Sequence, residues 1–122
     1  MSVPDNLLYT KDHEWALIEG NQATVGITDH AQRELGDIVF VELPKVGVRL
    51  ESGQSFGTIE AVKTVAELYA PLTGLVTEVN SSLAGDAGVI NQDPYGKGWI
   101  LKVTVEKATD ELMDAAAYKK LI

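Results

Sequence analysis

The sequence predicts a mostly β fold of the sandwich or barrel kind, with short helices and a C-terminal helix. Three observations predict it: β-rich runs recur at short spacing, Gly and Pro punctuate them, and only two stretches carry helix-terminus signals. The first element is a hairpin over EWALIEGNQATVGIT (Glu14 to Thr28), turning at Gly20-Asn21, with Trp15, Leu17, Val25 and Ile27 as the apolar members of alternating patterns. Thr28 or Asp29 then caps HAQREL (His30 to Leu35). Gln32 follows Asp29 by three residues, as in a capping box, and Gly36 is the stop. Strands are expected over DIVFVELP (Asp37 to Pro44), SFGTIEAV (Ser55 to Val62), TVAELYAP (Thr64 to Pro71), GLVTEVN (Gly74 to Asn80) and WILKVTVE (Trp99 to Glu106). The chain closes with a helix over TDELMDAAAYKKLI (Thr109 to Ile122), where a Thr cap, acids in the first turn and two lysines in the last match the helix dipole.

A chain of 122 residues with 45% hydrophobic content fits one domain over residues 1–122. Its apolar runs are short and interrupted by charge, against the roughly 18 to 20 residues a spanning helix needs. The start, MSVPDN, carries no leader signal, so a cytoplasmic location is expected, or the mitochondrial matrix for a mature eukaryotic protein. A net charge of −8 opposes nucleic-acid phosphate and favours a soluble monomer that docks on basic surfaces. Without cysteine there is no disulfide and no thiolate, so any redox chemistry must belong to a bound group. His13 and His30 lack metal-ligand spacing, no nucleophile elbow or phosphate loop occurs, and Trp15, Trp99 and Tyr69 are expected in packing. The chain shows no active site of its own.

One segment stands apart. In GTIEAVKTVAELYAPLTG (Gly57 to Gly74) a strand turns back with Lys63 at the tip, where tight hairpins ordinarily place Gly, Asn or Asp. Lys63 is therefore a candidate cofactor attachment point, with the acid Glu60 nearby. It lies nearly midway between Gly53 and Gly74, and the glycine-led segments GDIVFVE and GLVTEVN resemble each other weakly, as in two β-halves joined at a hairpin. Gly36 and Gly74 are expected to hold positive φ.

YTKDHEW (Tyr9 to Trp15), TVGITDHAQRELGDIVFVELPKVG (Thr24 to Gly47), ESGQSFGTIEAVKTVAELYAPLTG (Glu51 to Gly74) and NQDPYGKGWILKV (Asn91 to Val103) resemble, in order and spacing, the signature segments of the H-protein family of the glycine cleavage system. The resemblance covers nearly the whole chain. It implies a barrel-sandwich hybrid of the lipoyl/biotinyl type, with lipoate amide-linked to Lys63. It also implies a non-catalytic carrier that shuttles the aminomethyl group of glycine. Its implied partners are the pyridoxal-phosphate glycine decarboxylase, the aminomethyltransferase and the dihydrolipoyl dehydrogenase, besides a lipoylating enzyme. Glu14 and Glu67 stand where the family uses acids to line a cleft near the loaded arm.

The neighbours of Lys63 separate the chain from relatives of that family. Biotin carriers flank their lysine with Met, and lipoyl domains of 2-oxoacid dehydrogenases precede it with Asp, whereas here Val62 and Thr64 flank it. Ala61 and Thr64 depart from the Ser and Ala more usual in the H-protein family, which bears on recognition by the lipoylating enzyme. A carrier that relays lipoyl groups to other complexes is the alternative reading, and a non-carrier binding module a third.

Overall fold

The computed structural model describes residues 2–107 and 112–122, and among them the strands form two antiparallel sheets. In chain order the elements are β1 (Leu8–Tyr9), β2 (Glu14–Glu19), β3 (Gln22–Ile27), α1 (Asp29–Leu35), β4 (Ile38–Glu42), β5 (Arg49–Leu50), β6 (Ser55–Ala61), β7 (Val65–Tyr69) and β8 (Thr73–Val79). A 3₁₀ turn (Ser81–Ala84), α2 (Val89–Gln92), β9 (Leu101–Lys107) and α3 (Ala115–Leu121) follow. One sheet runs β1-β2-β3-β9-β8-β5 and the other β4-β6-β7. Their facing side chains, Val25, Ile38, Ile59, Leu68, Val76 and Leu101 among them, make the main core. This is the mostly β barrel-sandwich arrangement the sequence led us to expect.

The first hairpin forms as expected, Glu19 pairing with Gln22 across Gly20-Asn21, but its apolar residues divide between two cores. Direct cross-strand partners share a face. Ala16 and Val25 therefore point into the main core, while Trp15 and Leu17 join a second cluster with Tyr9, Ala115 and Tyr118. β2 is covered on both sides because Ala115 and Tyr118 of α3 pack on its outer face, against Trp15 and against Tyr9 of the adjacent β1. Tyr118 stacks on Tyr9 with ring centroids 4.6 Å apart.

Thr28 is the N-cap of α1, its Oγ1 accepting from the Ala31 N–H. The expected capping box is absent: Gln32 donates to the Asp29 carboxylate (2.7 Å), and the Asp29 N–H donates instead to the Tyr95 hydroxyl. Gly36 ends the helix at φ +78°. Gly74 does not share that reason. It sits inside β8 paired with Leu50 and Val105, with no positive φ, and a β-carbon there would collide with the carbonyl oxygen of Thr104. Close approach of neighbouring backbone, not turn geometry, excludes a side chain.

The C-terminal helix is shorter than expected. It starts at Ala115 with the Asp114 carboxylate accepting from the Ala117 N–H, because Met113 is held in an extended bridge to Tyr9. The expected cap, Thr109, lies outside the described residues. The strands β1 and β5 have two residues each and leave no periodicity to read. The two glycine-led segments fall in different sheets, as β4 and β8.

Candidate functional site

β6 and β7 form the hairpin that carries Lys63. Ala61 donates its N–H to the Thr64 carbonyl (2.8 Å), and the Val62 N–H donates to Asp37 (2.9 Å), which ties the tip to the start of β4. The tip needs no positive φ, since among the described residues His13 is the one non-glycine that has it. Lys63 is exposed, and its side chain leans over Gly36: a β-carbon built on that glycine would stand 3.3 Å from Lys63 Cε. The stop of α1 thus leaves room for the lysine stem to cross the helix end.

A groove of about 160 Å³ runs between α1 and β7, with Leu35, the residue before Gly36, in its wall. Ala31 and Leu35 wall one side, Ala66 and Leu68 the other, and Ile27 and Ile59 lie between them. The i, i+4 pair on α1 and the inward residues of β7 make these walls apolar. Four acids interrupt them: Asp12, Glu14, Glu34 and Glu67.

Both sequence-predicted acids border the groove, in opposite environments, Glu14 buried beside it and Glu67 turned to the outer side of edge strand β7. Glu67 is exposed and accepts from the Tyr69 hydroxyl (3.0 Å) and from Ser55 Oγ (3.4 Å). Glu14 is 2% exposed. One of its oxygens accepts from Thr10 Oγ1 (2.8 Å) and the other from the Tyr69 N–H (3.2 Å). Desolvation outweighs those two bonds and pushes the Glu14 carboxyl up to about 8. Tyr69, expected in packing, instead links the two acids, by its N–H to one and its hydroxyl to the other. Glu14 and Asp12 also wall a second cavity of about 330 Å³, formed with Ser52, Ala70 and Pro71.

His13 was not foreseen as a groove residue. It reaches this place through a left-handed backbone, φ +68°, that no local motif announces. Its Nδ1 is 2.8 Å from the Tyr118 hydroxyl, which is 2.7 Å from Thr28 Oγ1, so a residue of α3 fixes both the groove histidine and the cap of α1. Burial, with the His30 ring 4.6 Å away, holds His13 below the ordinary imidazole range. Among the described residues no group of three or more His, Asp or Glu is arranged to hold a metal.

The distances suit a tethered group. Lys63 lies in the bend before β7 and Glu67 is the third residue of that strand, so their Cα atoms are no more than about 14 Å apart. A lysine amide-linked to a lipoyl chain has about a dozen backbone bonds from Cα to the first sulfur, an extended reach on the order of 14 Å. An apolar groove that has Leu35, the neighbour of Gly36, in its wall and acids along it fits an aliphatic arm with a cationic end.

Comparison with known proteins agrees with this geometry. The family model described as glycine cleavage H-protein matches residues 7–122. A glycine cleavage system H protein of Herpetosiphon aurantiacus is 54% identical over 121 residues, covering 99% of this chain and 94% of the relative. One from Chlorobium limicola is 58% identical over 126 residues, covering 100% and 98%. The crystal structure of a glycine cleavage system H protein from Mycobacterium marinum superposes with a TM-score of 0.91 at 42% identity, covering 97% of each chain.

Proposed function

Since the chain belongs to the glycine cleavage H-protein family and is a carrier component of that system, we propose that Lys63 bears its lipoyl arm and that the α1/β7 groove holds the arm between partners. The observation that supports this most is the position of Lys63: exposed at a hairpin tip, with its stem over Gly36, the residue after Leu35 of the groove wall. The full-length match favours work in glycine cleavage over lipoyl relay.

Amide-linked lipoate supplies a dithiolane, and with it the two-electron chemistry and aminomethyl carriage that a chain without cysteine lacks. Lys63 gives up its ammonium on acylation, taking the net charge from −8 to −9. Leu35 and Ala66 exclude water from the groove's length. Glu67 at the exposed edge attracts a cationic end by about 0.5 to 1 kcal/mol, enough to bias its position without trapping it. Glu14 is protonated at neutral pH when no cation is near, and a cation beside it lowers its pKa and draws out the carboxylate. Neither acid attacks or cleaves anything: the protein carries and shields, and its partners catalyse. Those partners are the pyridoxal-phosphate decarboxylase, the aminomethyltransferase, the dihydrolipoyl dehydrogenase and the lipoylating enzyme, met by a cytoplasmic monomer.

Incubation with lipoate ligase, lipoate and ATP followed by peptide mass spectrometry should find the modification on Lys63 alone, and modification of Lys97 or Lys102 in its place would refute the assignment. Glu14→Ala should still accept lipoate yet release ammonia faster from the isolated loaded protein. Release at the wild-type rate would remove the shielding role and leave the carrier assignment standing.

A further inference from the structure

The outward face of the β4-β6-β7 sheet is unusually apolar beside Lys63. Val39 is 57% exposed, Phe40 47%, Val62 76% and Val65 62%. Register explains how they come together. Phe40 pairs with Glu60 and Glu60 with Val65, so these three form one row on the outer face, while Val41, Ile59 and Ala66 form the matching row on the core side. Between Ile38 and Phe40 the pairing shifts, with Val39 as the extra residue. Such a bulge lets two successive side chains leave the core. Regular alternation would have turned either Val39 or Phe40 inward. Single exposed apolar residues are ordinary, but a contiguous group rimmed by polar residues marks an interaction surface.

We propose that this patch is the docking surface for the enzyme that acylates Lys63, an inference that rests on the Lys63 reading above. Reach selects that occupant. An acylating enzyme must bring its activated acyl group to Nζ itself, so its active-site rim must close on the residues a bare lysine side chain can span. Those are the tip, the end of α1 at Gly36 over which the stem leans, and the outer row beside the tip, and of these the tip and its row carry the exposed apolar side chains. Enzymes that use the finished arm meet the end of a much longer tether and can stand further off.

The chemistry asks for the same surface. Nζ must lose a proton from its ammonium form before it attacks the carbonyl carbon of a lipoyl-adenylate. The C–N bond then forms, the C–O bond to phosphate breaks, AMP leaves with the electron pair, and the second amine proton passes to a base of the enzyme or to water. Exclusion of water favours the neutral amine, and Val39, Phe40, Val62 and Val65 provide it once pressed against a matching surface. Glu60 lies within the apolar row, and the next row is Glu42, Thr58 and Glu67. The complementary surface is therefore apolar at its centre and cationic at its rim.

The test uses the full chain, a lipoate ligase, lipoate and ATP, with intact mass as the readout. A Val39→Thr/Phe40→Thr/Val65→Thr variant should raise KM for the acceptor protein by about tenfold or more, as loss of a central interface cluster does, with kcat within about twofold of wild type. Val65→Thr alone, a mild change at an exposed strand site, should raise KM about threefold. A Val48→Thr/Leu75→Thr control, altering exposed residues outside the β4-β6-β7 sheet, should keep the wild-type KM. An unchanged KM in the triple and single variants overturns the docking surface alone. A wild-type dimer that the triple variant dissociates also overturns it, because the patch would then serve a second copy. Acylation of a different lysine in the wild type overturns the Lys63 reading and the docking surface with it.

Discussion

At the β6–β7 tip Val62 and Lys63 are exposed, whereas at the β1–β2 corner Glu14 is buried with both carboxylate oxygens engaged and Trp15 beside it is 2% exposed. Both ends serve one groove, yet they are built on opposite terms. The tip is anchored through backbone hydrogen bonds, so the identity of its side chain is free to be chosen for chemistry. At the corner the side chains are themselves part of the packing, and any change in the charge of Glu14 is also a change in stability. On the proposed reading a carrier uses both: an end that sweeps without strain, and a resting place whose electrostatics are set by burial.

The largest expected effect breaks the tip without touching the fold. Lys63→Arg should reduce lipoyl incorporation to background while unfolding free energy moves by less than about 0.5 kcal/mol, the usual range for exposed sites. Unfolding of this variant in denaturant titrations would show that the tip is structural after all.

The corner should behave in the reverse way. An ordinary glutamate titrates near 4.5 and the folded Glu14 near 8. Between those values the folded protein keeps a proton that the unfolded chain has lost. Stability is therefore greatest toward the acid end of that window, falls as pH rises through it, and levels off above about 8. At about 1.4 kcal/mol per pKa unit the fall is on the order of a few kcal/mol. Glu14→Gln keeps an acceptor for the Tyr69 N–H and a donor toward Thr10, and should flatten the curve. Denaturant midpoints measured across the window decide it, and an unchanged slope in Glu14→Gln would place the pH dependence elsewhere.

Two glycines sharpen the contrast at smaller scale. Gly74→Ala drives a methyl into the Thr104 carbonyl and should cost about 1 to 3 kcal/mol, the range for overpacking. Gly36→Ala should cost about 1 kcal/mol for its positive φ. It should also slow lipoylation, since its methyl crowds the Lys63 stem. Thermal unfolding and ligase kinetics on the two variants separate these costs, and equal lipoylation rates would show that the stem does not depend on the crossing.

Glu67→Ala is the mildest change. It should leave the melting midpoint in place and speed ammonia release from the loaded protein only about two- to fivefold, as an exposed ion pair allows. A larger acceleration than Glu14→Ala would reverse the ranking of the two acids.

The hairpin around Gly20-Asn21, the longer strands, a cap at Thr28 or Asp29, the stop at Gly36 and the exposed lysine tip are readable from neighbouring residues, and the fold chooses Thr28 as the cap. The two-residue strands β1 and β5 were not, because they exist only through pairing with β2 and β8. The start of α3 was misplaced for a related reason. TDEL carries helix-start chemistry, but Met113 bridges Tyr9 and the extended Asp114 is the N-cap, so α3 begins at Ala115.

Residue order alone settled the kind of chemistry available here: a lysine at a hairpin tip, an acidic chain, no thiol, and β runs with their turns and caps. Those features act over a few residues, so local propensity and hydrogen bonding suffice to write them. The protonation of Glu14, the backbone crowding at Gly74 and the capture of His13 by Tyr118 come from partners far along the chain. Glu14 meets Tyr69 across 55 positions and His13 meets Tyr118 across 105. Burial and close approach are properties of what folding brings alongside, which is why the groove's acids could be named from the sequence while their environments arose only in the packed molecule.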